Sequence, residues 1–226
     1  MGVELALEML FTSIKLNLLT QIGTLSAKKI ELLDNLLLGS HRDKQKIMDA
    51  TIYINPEEKS SVIIGPNQIG YGIENPEGVS ADLASKACEW NTLSLTIADT
   101  LLMDQECNGY EIDFTSVVPA PGSNRKAAAA QSIRSISPIH HQKLKDIGDI
   151  TAVGVRYVFN RENHIFDCRV EPLLSNLDNF FLSMNIKVTT GPTIHYSYSQ
   201  VFESVNSNFN FFKNEWFDLV KNEIII

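Results

Sequence analysis

The residues best suited to chemistry in this chain are a group of cations and histidines. Between Asp113 and Asp146 the sequence carries five basic residues and no acid, although the net charge of the chain is −8. The candidate binding residues in and after this segment are Arg125, Lys126, Arg134, His140, His141 and Arg156. Guanidinium and ammonium groups bind carboxylates and phosphates, so this set predicts an anionic partner. The alternative interpretation is a solvated linker held near an acidic surface.

Arg156 differs from the other candidates because it falls inside an apolar, alternating stretch. Alternation places Arg156 on the same side of a strand as Gly154, which leaves room beside it. One interpretation is a cross-strand ion pair with Asp167 or Glu171. The other is a guanidinium presented to an anionic ligand.

Familiar catalytic and metal-binding motifs are incomplete in this sequence. Gly65 and Gly70 have the spacing of a phosphate-binding loop, but Tyr71 stands where such a loop needs lysine. The run that begins at Asp104 starts like a calcium loop, but Thr115 replaces the final glutamate. The two adjacent histidines have no His, Cys or Glu three or four residues away. We therefore assign no catalytic residue, no metal and no cofactor, which leaves it open whether the protein is an enzyme.

Cysteine usage and hydropathy give an expectation for the compartment. The three cysteines, Cys88, Cys107 and Cys168, form no C-x-x-C pair, so neither a disulfide framework nor a zinc ribbon is indicated. Each is expected to be a small buried hydrophobe. The first residues lack a signal-peptide pattern, and no apolar run approaches the length that spans a bilayer. The sequence points to a cytoplasmic protein without a membrane segment.

Hydrophobic periodicity predicts the elements that must position these residues. Period-two alternation over 3–18 predicts a strand with a bulge at Thr12-Ser13, although the composition also suits a helix. Further strands are predicted in ATIYI, SVIIG, QIGYGIE and YEIDFTSVVPA, and over 151–160, 164–171 and 180–190. Helices are predicted over 26–38, 79–103 and 198–222, with a short one inside 114–145. The stretch HRDKQK at 41–46 is interpreted as a solvated charged segment.

This order predicts an α+β fold with an antiparallel or mixed sheet and long helices packed on one face. We expect a single domain over 1–226. An alternative organisation has two strands-then-helix halves, 1–113 and 146–226, joined by the basic segment 114–145.

A resemblance to a known family rests on the stretch ITAVGVRYVFNR, followed by DCRVEPLL. Gly154, Arg156 and Tyr157 resemble an uncharacterised bacterial family whose strand reads roughly Gly-Leu/Val-Arg-Tyr-Ile-Asn. Phe159 intervenes here before Asn160. The resemblance implies an α+β fold and a strand at this position, and it implies no activity.

The first functional hypothesis is a non-catalytic binding or assembly protein. The aromatic-rich C-terminal helix is expected to expose apolar surface and to form a homo-oligomer or a complex with another protein. The predicted contact residues are Phe212, Trp216, Ile224 and Ile225. The basic segment 122–145 would reach an acidic or phosphorylated partner. Nucleic acid is not favoured, since 114–145 holds only one aromatic residue for base stacking.

The alternative hypothesis is an enzyme or sensor for a small anionic ligand. It requires Arg156, His140, His141 and His164 to converge on one pocket.

Overall fold

A computed structural model of the chain describes residues 8–79, 82–121, 126–136, 151–189 and 195–225. The strands are β1 Leu10–Leu19, β2 Asp43–Ile47, β3 Ala50–Asn55, β4 Ser60–Gly65, β5 Gln68–Glu74, β6 Glu106–Cys107, β7 Gly109–Pro119, β8 Val155–Arg161, β9 His164–Pro172, β10 Asn179–Thr189 and β11 Tyr196–Ser197. The helices are α1 Ala27–Leu37, α2 Leu83–Leu101, α3 Ala127–Ile136 and α4 Tyr198–Asn210. A π-helical segment Phe211–Trp216, the short helix α5 Phe217–Val220 and a second π-helical segment Lys221–Ile225 continue α4, and together these form the C-terminal helix, 198–225.

Nine of the strands form one antiparallel sheet in the order β2-β3-β4-β5-β1-β7-β10-β9-β8, and β6 pairs separately with β11. The two central strands, β1 and β7, each begin a unit of strand, helix, antiparallel meander and long helix. The meander of the first unit extends to one edge of the sheet, and that of the second unit extends to the other edge. The fold is therefore α+β, as the sequence predicts.

The alternation of apolar and polar residues decides which face of the sheet is buried. In β1, Ile14, Leu16 and Leu18 are buried, whereas Lys15 and Asn17 point to the opposite face. The register with β7 shifts between Phe11 and Ser13, which confirms the predicted bulge. The predicted strand is confirmed from Leu10 onwards, whereas Glu8 and Met9 lie outside it.

The helices cover the apolar face of the sheet. Ser26 caps α1 by accepting a hydrogen bond from the Lys29 amide. Tyr71 of β5 stacks on Trp90 of α2, with ring centroids 5.5 Å apart, and Phe114 of β7 stacks on Phe212 of the C-terminal helix at 5.7 Å. Among the described residues, no helix has the length and hydropathy needed to cross a membrane.

The charged stretch 41–46 differs from its prediction. Residues Asp43–Ile47 form strand β2, which pairs with β3 at one edge of the sheet, and every residue of β2 is exposed. Hydrogen bonds between the backbones supply this pairing, and side-chain polarity does not prevent it at an edge. Among the cysteines, Cys107 and Cys168 are buried as expected, whereas Cys88 is exposed on α2.

The expectation that the C-terminal helix leaves apolar surface bare is wrong for the four named residues. Phe212, Trp216, Ile224 and Ile225 are all buried in the core of their own chain. Phe212, Trp216, Val220 and Ile224 are spaced four residues apart. Because a regular α-helix has about 3.6 residues per turn, side chains at this spacing drift gradually around the helix surface. The wider π-helical turns offset this drift and keep the stripe on the sheet. Association of the chain stays a prediction, and these side chains do not provide a surface for it.

Candidate functional site on the open face of the sheet

The face of the sheet opposite the helices, here called the open face, carries rows of polar side chains. The strand register aligns Lys15, Asp113, Asn185 and Asp167 across β1, β7, β10 and β9. The next row contains Asn17, Glu111 and Lys187 in β1, β7 and β10. Alternation within each strand puts all of these side chains on one face, because their intervening neighbours are buried under the helices.

Two carboxylates form the floor of this surface. The Asn185 side-chain amide lies between them, with Nδ2 donating to Glu111 Oε1 and to Asp113 Oδ1 at 2.6 Å each. Lys187 Nζ lies 3.2 Å from Glu111 Oε1. Burial raises the pKa of the Asp113 carboxyl and the nearby Glu111 charge adds to this, while the hydrogen bond from Asn185 opposes it. Asp113 is thus a carboxylate held in place mainly by a neutral amide.

Arg156 forms the cross-strand ion pair that the sequence suggested. Its Nε and Nη2 donate to the two carboxylate oxygens of Asp167 at 2.7 and 2.5 Å. Arg169 Nη2 lies 3.8 Å from Asp167 Oδ2. Hydrogen bonding from Arg156 is the main cause that lowers the pKa of Asp167. One carboxylate therefore anchors two guanidinium groups.

Around one depression of the open face, the cations are more exposed than the carboxylates that they contact. Arg156, Arg169 and Lys187 are 58%, 50% and 53% exposed, whereas Asp167 and Glu111 are 19% and 31% exposed. Together with Asp113 and Asn185 these residues line a shallow depression of about 410 Å³. A molecule that approaches this depression meets guanidinium and ammonium groups first.

A second depression of about 780 Å³ adjoins the first and shares Asp113 with it. Its apolar walls include Val117 of β7, Phe181 of β10 and Leu173. Lys15 lies at its polar side and forms a salt bridge with Glu74. The open face thus combines a charged and a partly apolar depression side by side.

A separate polar cluster lies on the helix-covered face. Tyr110 OH donates to Ser204 Oγ at 2.8 Å, and Asn208 Nδ2 donates to the same oxygen at 3.0 Å. His164 Nε2 lies 3.2 Å from Tyr110 OH and 3.3 Å from Ser204 Oγ. Burial lowers the pKa of His164. Because Ser204 Oγ already accepts two hydrogen bonds, this cluster is suited to holding the helix against the sheet rather than to nucleophilic attack.

The structure does not bring Arg156 and His164 together. Arg156 pairs with Asp167 on the open face, and His164 contacts the C-terminal helix on the other face. His140 and His141 lie outside the described residues. A single pocket containing Arg156 and His164 is therefore ruled out by their positions on β8 and β9.

The basic segment is described only in part. Lys126 and Arg134 are exposed, and Arg125 lies outside the described residues. Helix α3 packs near β9, β10 and the end of the C-terminal helix, and the Asp178 carboxylate accepts hydrogen bonds from the Lys126 and Ala127 amides at its start. These cations are therefore not part of the open-face cluster.

Sequence reasoning found Arg156 but missed the residues around it. The missed residues are Glu111, Asp113, Asn185, Lys187 and Arg169. Their signal was the alternation of polar with apolar positions in YEIDF, DCRVE and LSMNIK. Alternation predicts that each set shares a face, but the pairing of strands this distant in sequence is not readable from it.

Comparison with models of protein families finds no match for the chain, and comparison with curated proteins finds none. Within the described ranges, no group of three or more His, Cys, Asp or Glu residues is placed to hold a metal ion.

Proposed function

We propose that the protein is a non-catalytic binding protein and that the open face of its sheet takes an acidic segment of a protein partner. The observation that carries this proposal is the layering of charge. Exposed guanidinium and ammonium groups lie above less exposed carboxylates, which fix their positions. A partner carboxylate can therefore contact cations without displacing the ion pairs beneath them.

The two adjoining depressions define the shape of the partner. Acidic side chains would lie over Arg156, Arg169 and Lys187, and an apolar side chain would pack against Val117 and Phe181. An extended segment can reach both, because the depressions share Asp113. Such a segment combines charge contacts with one buried anchor, which is a common arrangement in protein interfaces.

The same charges disfavour a nucleic acid on this face. The face carries four cations, Lys15, Lys187, Arg156 and Arg169, and at least five acids, Glu74, Glu111, Asp113, Asp167 and Glu171. Nucleic-acid surfaces carry a clear excess of cations, because most of the affinity comes from neutralising phosphates. The basic segment 122–145 stays a second predicted contact, with Lys126 and Arg134 exposed in its described part.

Binding of a synthetic peptide tests the proposal. The probe is a short, fluorescein-labelled, glutamate-rich peptide with one central phenylalanine, titrated with the full chain at low salt by fluorescence anisotropy. We expect Arg169→Glu and Lys187→Glu each to weaken binding about tenfold, which corresponds to about 1.4 kcal/mol. Lys28→Glu is the matched control, since Lys28 is an exposed cation on α1.

Two results would contradict the proposal. One is equal affinity for a peptide in which glutamine replaces every glutamate. The other is an absence of saturable binding of the acidic peptide up to about 1 mM, the weak end of specific recognition.

A further inference from the structure

The two edge strands of the sheet differ in how they meet solvent. An exposed edge presents unpaired N–H and C=O groups, and proteins commonly protect such edges with charged side chains. Strand β2 follows this pattern, with Asp43, Lys44 and Lys46 exposed among its five residues. At the centre of β8, by contrast, the exposed side chains are Tyr157 (43%) and Val158 (60%), with the exposed Arg156 and Arg161 on either side. The apolar residue that β2 exposes, Ile47 (50%), lies at its end. Among residues that the structure describes, no strand pairs with the outer edge of β8.

The hairpin geometry shows which backbone groups of β8 point outwards. Strands β8 and β9 are joined by the two-residue turn Glu162-Asn163, and Arg161 lies opposite His164. In a two-residue hairpin the closing pair exchanges hydrogen bonds, and such pairs then alternate along the strands. The backbone groups that point away from β9 are therefore those of Arg156, Val158 and Asn160.

This edge is complementary to itself. Antiparallel pairing of two β8 strands about a two-fold axis at Val158 places Val158 opposite the same residue of the second copy. Arg156 then lies opposite Asn160 of the second copy, and Tyr157 lies opposite Phe159 of the second copy. The outward groups form about six backbone hydrogen bonds, the aromatic pair adds cross-strand contact, and no like charges oppose each other.

The other edge lacks this property. In β2 the closing pair is Ile47 and Ala50, so the backbone groups that point away from β3 are those of Lys44 and Lys46. The same operation centred on Lys44 places Lys44 opposite the same residue of the second copy. Like charges directly opposite each other destabilise a strand pair. The contrast identifies β8 as the edge that fits a second copy of the chain.

We infer that β8 pairs antiparallel with β8 of a second copy, so that a homodimer forms around one continuous sheet. This inference rests on the edge of the sheet and not on the binding site proposed for the open face, with which it shares Arg156 alone among the residues named for that site. A two-fold axis of this kind gives a closed dimer in which both copies use the same surface.

Cysteine cross-linking at the axis tests the inference. In the Cys88→Ser background, which removes the exposed native thiol, Val158→Cys places two thiols on strands whose Cα atoms are about 5.5 Å apart, within the range of a disulfide. We expect this variant to form a covalent dimer under mild oxidation and Gln45→Cys, the matched control on β2, to remain monomeric. Light scattering of the unmodified chain should give twice the monomer mass.

Hydrogen exchange separates pairing between copies from coverage by the chain itself. We expect the Val158 amide to exchange about tenfold faster when the protein is diluted below its dissociation constant. Protection of Val158 that is independent of concentration would overturn the inference. So would a monomeric mass at about 100 μM together with equal cross-linking of the Val158→Cys and Gln45→Cys variants.

Discussion

Asp113 and Asp167 lie on the same face of the sheet, yet their pKa values shift in opposite directions. Asp113 is more buried and takes its hydrogen bond from the neutral amide of Asn185, so burial raises its pKa. Asp167 accepts two hydrogen bonds from Arg156, which lower its pKa. The ionised form of Asp113 is thus disfavoured by folding, and that of Asp167 is favoured.

Replacing each carboxylate by its amide should therefore have opposite effects. We expect Asp113→Asn to raise the free energy of unfolding at pH 7, because it removes a charge whose pKa is raised in the folded state. This gain in the free energy of unfolding should shrink as the pH falls, because the Asp113 carboxyl of the unmodified chain then becomes protonated. Urea unfolding at pH 7 and pH 4 measures both effects.

Asp167→Asn is the matched comparison on the same face. We expect it to lower the free energy of unfolding at pH 7 by up to about 1 kcal/mol, as for a partly exposed ion pair. That difference should disappear as the pH falls through the lowered pKa of Asp167, because the native pair is then lost as well. The same sign of change for both variants at pH 7 would contradict the account.

His164 gives the fold a dependence on pH near neutrality. Burial lowers its pKa, so the unfolded chain takes up a proton at a higher pH than the folded chain does. The free energy of unfolding should be at its full value above the unfolded pKa of about 6.5 and should fall as the pH drops below it. Burial lowers the pKa of His41 as well, so His41 contributes with the same sign.

Urea unfolding of His164→Gln at pH 7.5 and 5.5 tests this dependence. We expect the variant to lose part of the decrease that the unmodified chain shows between these two conditions. His41→Gln should also lose part of this decrease in the free energy of unfolding, and the double variant should lose more of it than either single variant. An unchanged decrease in all three variants would show that these histidines do not control it.

At the residue scale, the sequence limited the strand partner of Arg156 to two candidate acids, Asp167 and Glu171, beside the alternative of an anionic ligand. Alternation placed Arg156 on the same side of its strand as Gly154, and the ion pair with Asp167 is present. Alternation could not predict that Asp113 and Asn185 lie between the Arg156–Asp167 pair and Lys15, because Asp113 and Asn185 come from β7 and β10. Register between distant strands depends on the packing of the whole sheet.

At the element scale, the C-terminal helix shows how a correct pattern can be assigned to the wrong surface. The sequence predicted the helix and its apolar stripe, but the stripe covers the sheet of its own chain. Periodicity identifies the apolar side of a helix and says nothing of what it packs against. The two π-helical segments were not predictable, since they arise from fitting the stripe to the sheet.

The stability of the chain should depend on that stripe. We expect Phe212→Ala to lower the free energy of unfolding by about 3–5 kcal/mol, because Phe212 is fully buried and stacks on Phe114. Leu219→Ala is the control on the same helix, where a half-exposed side chain should cost less than about 1 kcal/mol. Chemical denaturation of both variants gives the comparison, and equal losses would contradict the assigned orientation of the helix.

At the scale of the whole molecule, two similarly ordered units share one sheet. Strands β1 and β7 pair along their length at its centre, so each unit completes the sheet of the other. The fold class was predictable from strands joined by short connections. The central pairing was not, because β1 and β7 are far apart in sequence and neither strand marks its partner.

Because the two units meet at the paired central strands β1 and β7, we expect them to unfold together. The chain has two tryptophans, and one lies in each unit: Trp90 in α2 and Trp216 in the C-terminal helix. In Trp216→Phe the fluorescence reports on the first unit, and in Trp90→Phe it reports on the second. We expect the fluorescence transition of each variant to coincide with its own circular dichroism transition in urea. Separate transitions would show two independently stable halves.

The most direct test of the central claim is a map of where the acidic, phenylalanine-containing peptide binds. Amide shifts in two-dimensional ¹H–¹⁵N NMR spectra of the labelled chain would be followed as the peptide is added. The account predicts that the largest changes fall on the open face, around Asp113 in β7, Arg169 in β9 and Lys187 in β10. Changes confined to α3 and the other helices, with the sheet unaffected, would contradict it and would assign binding to the opposite side of the molecule.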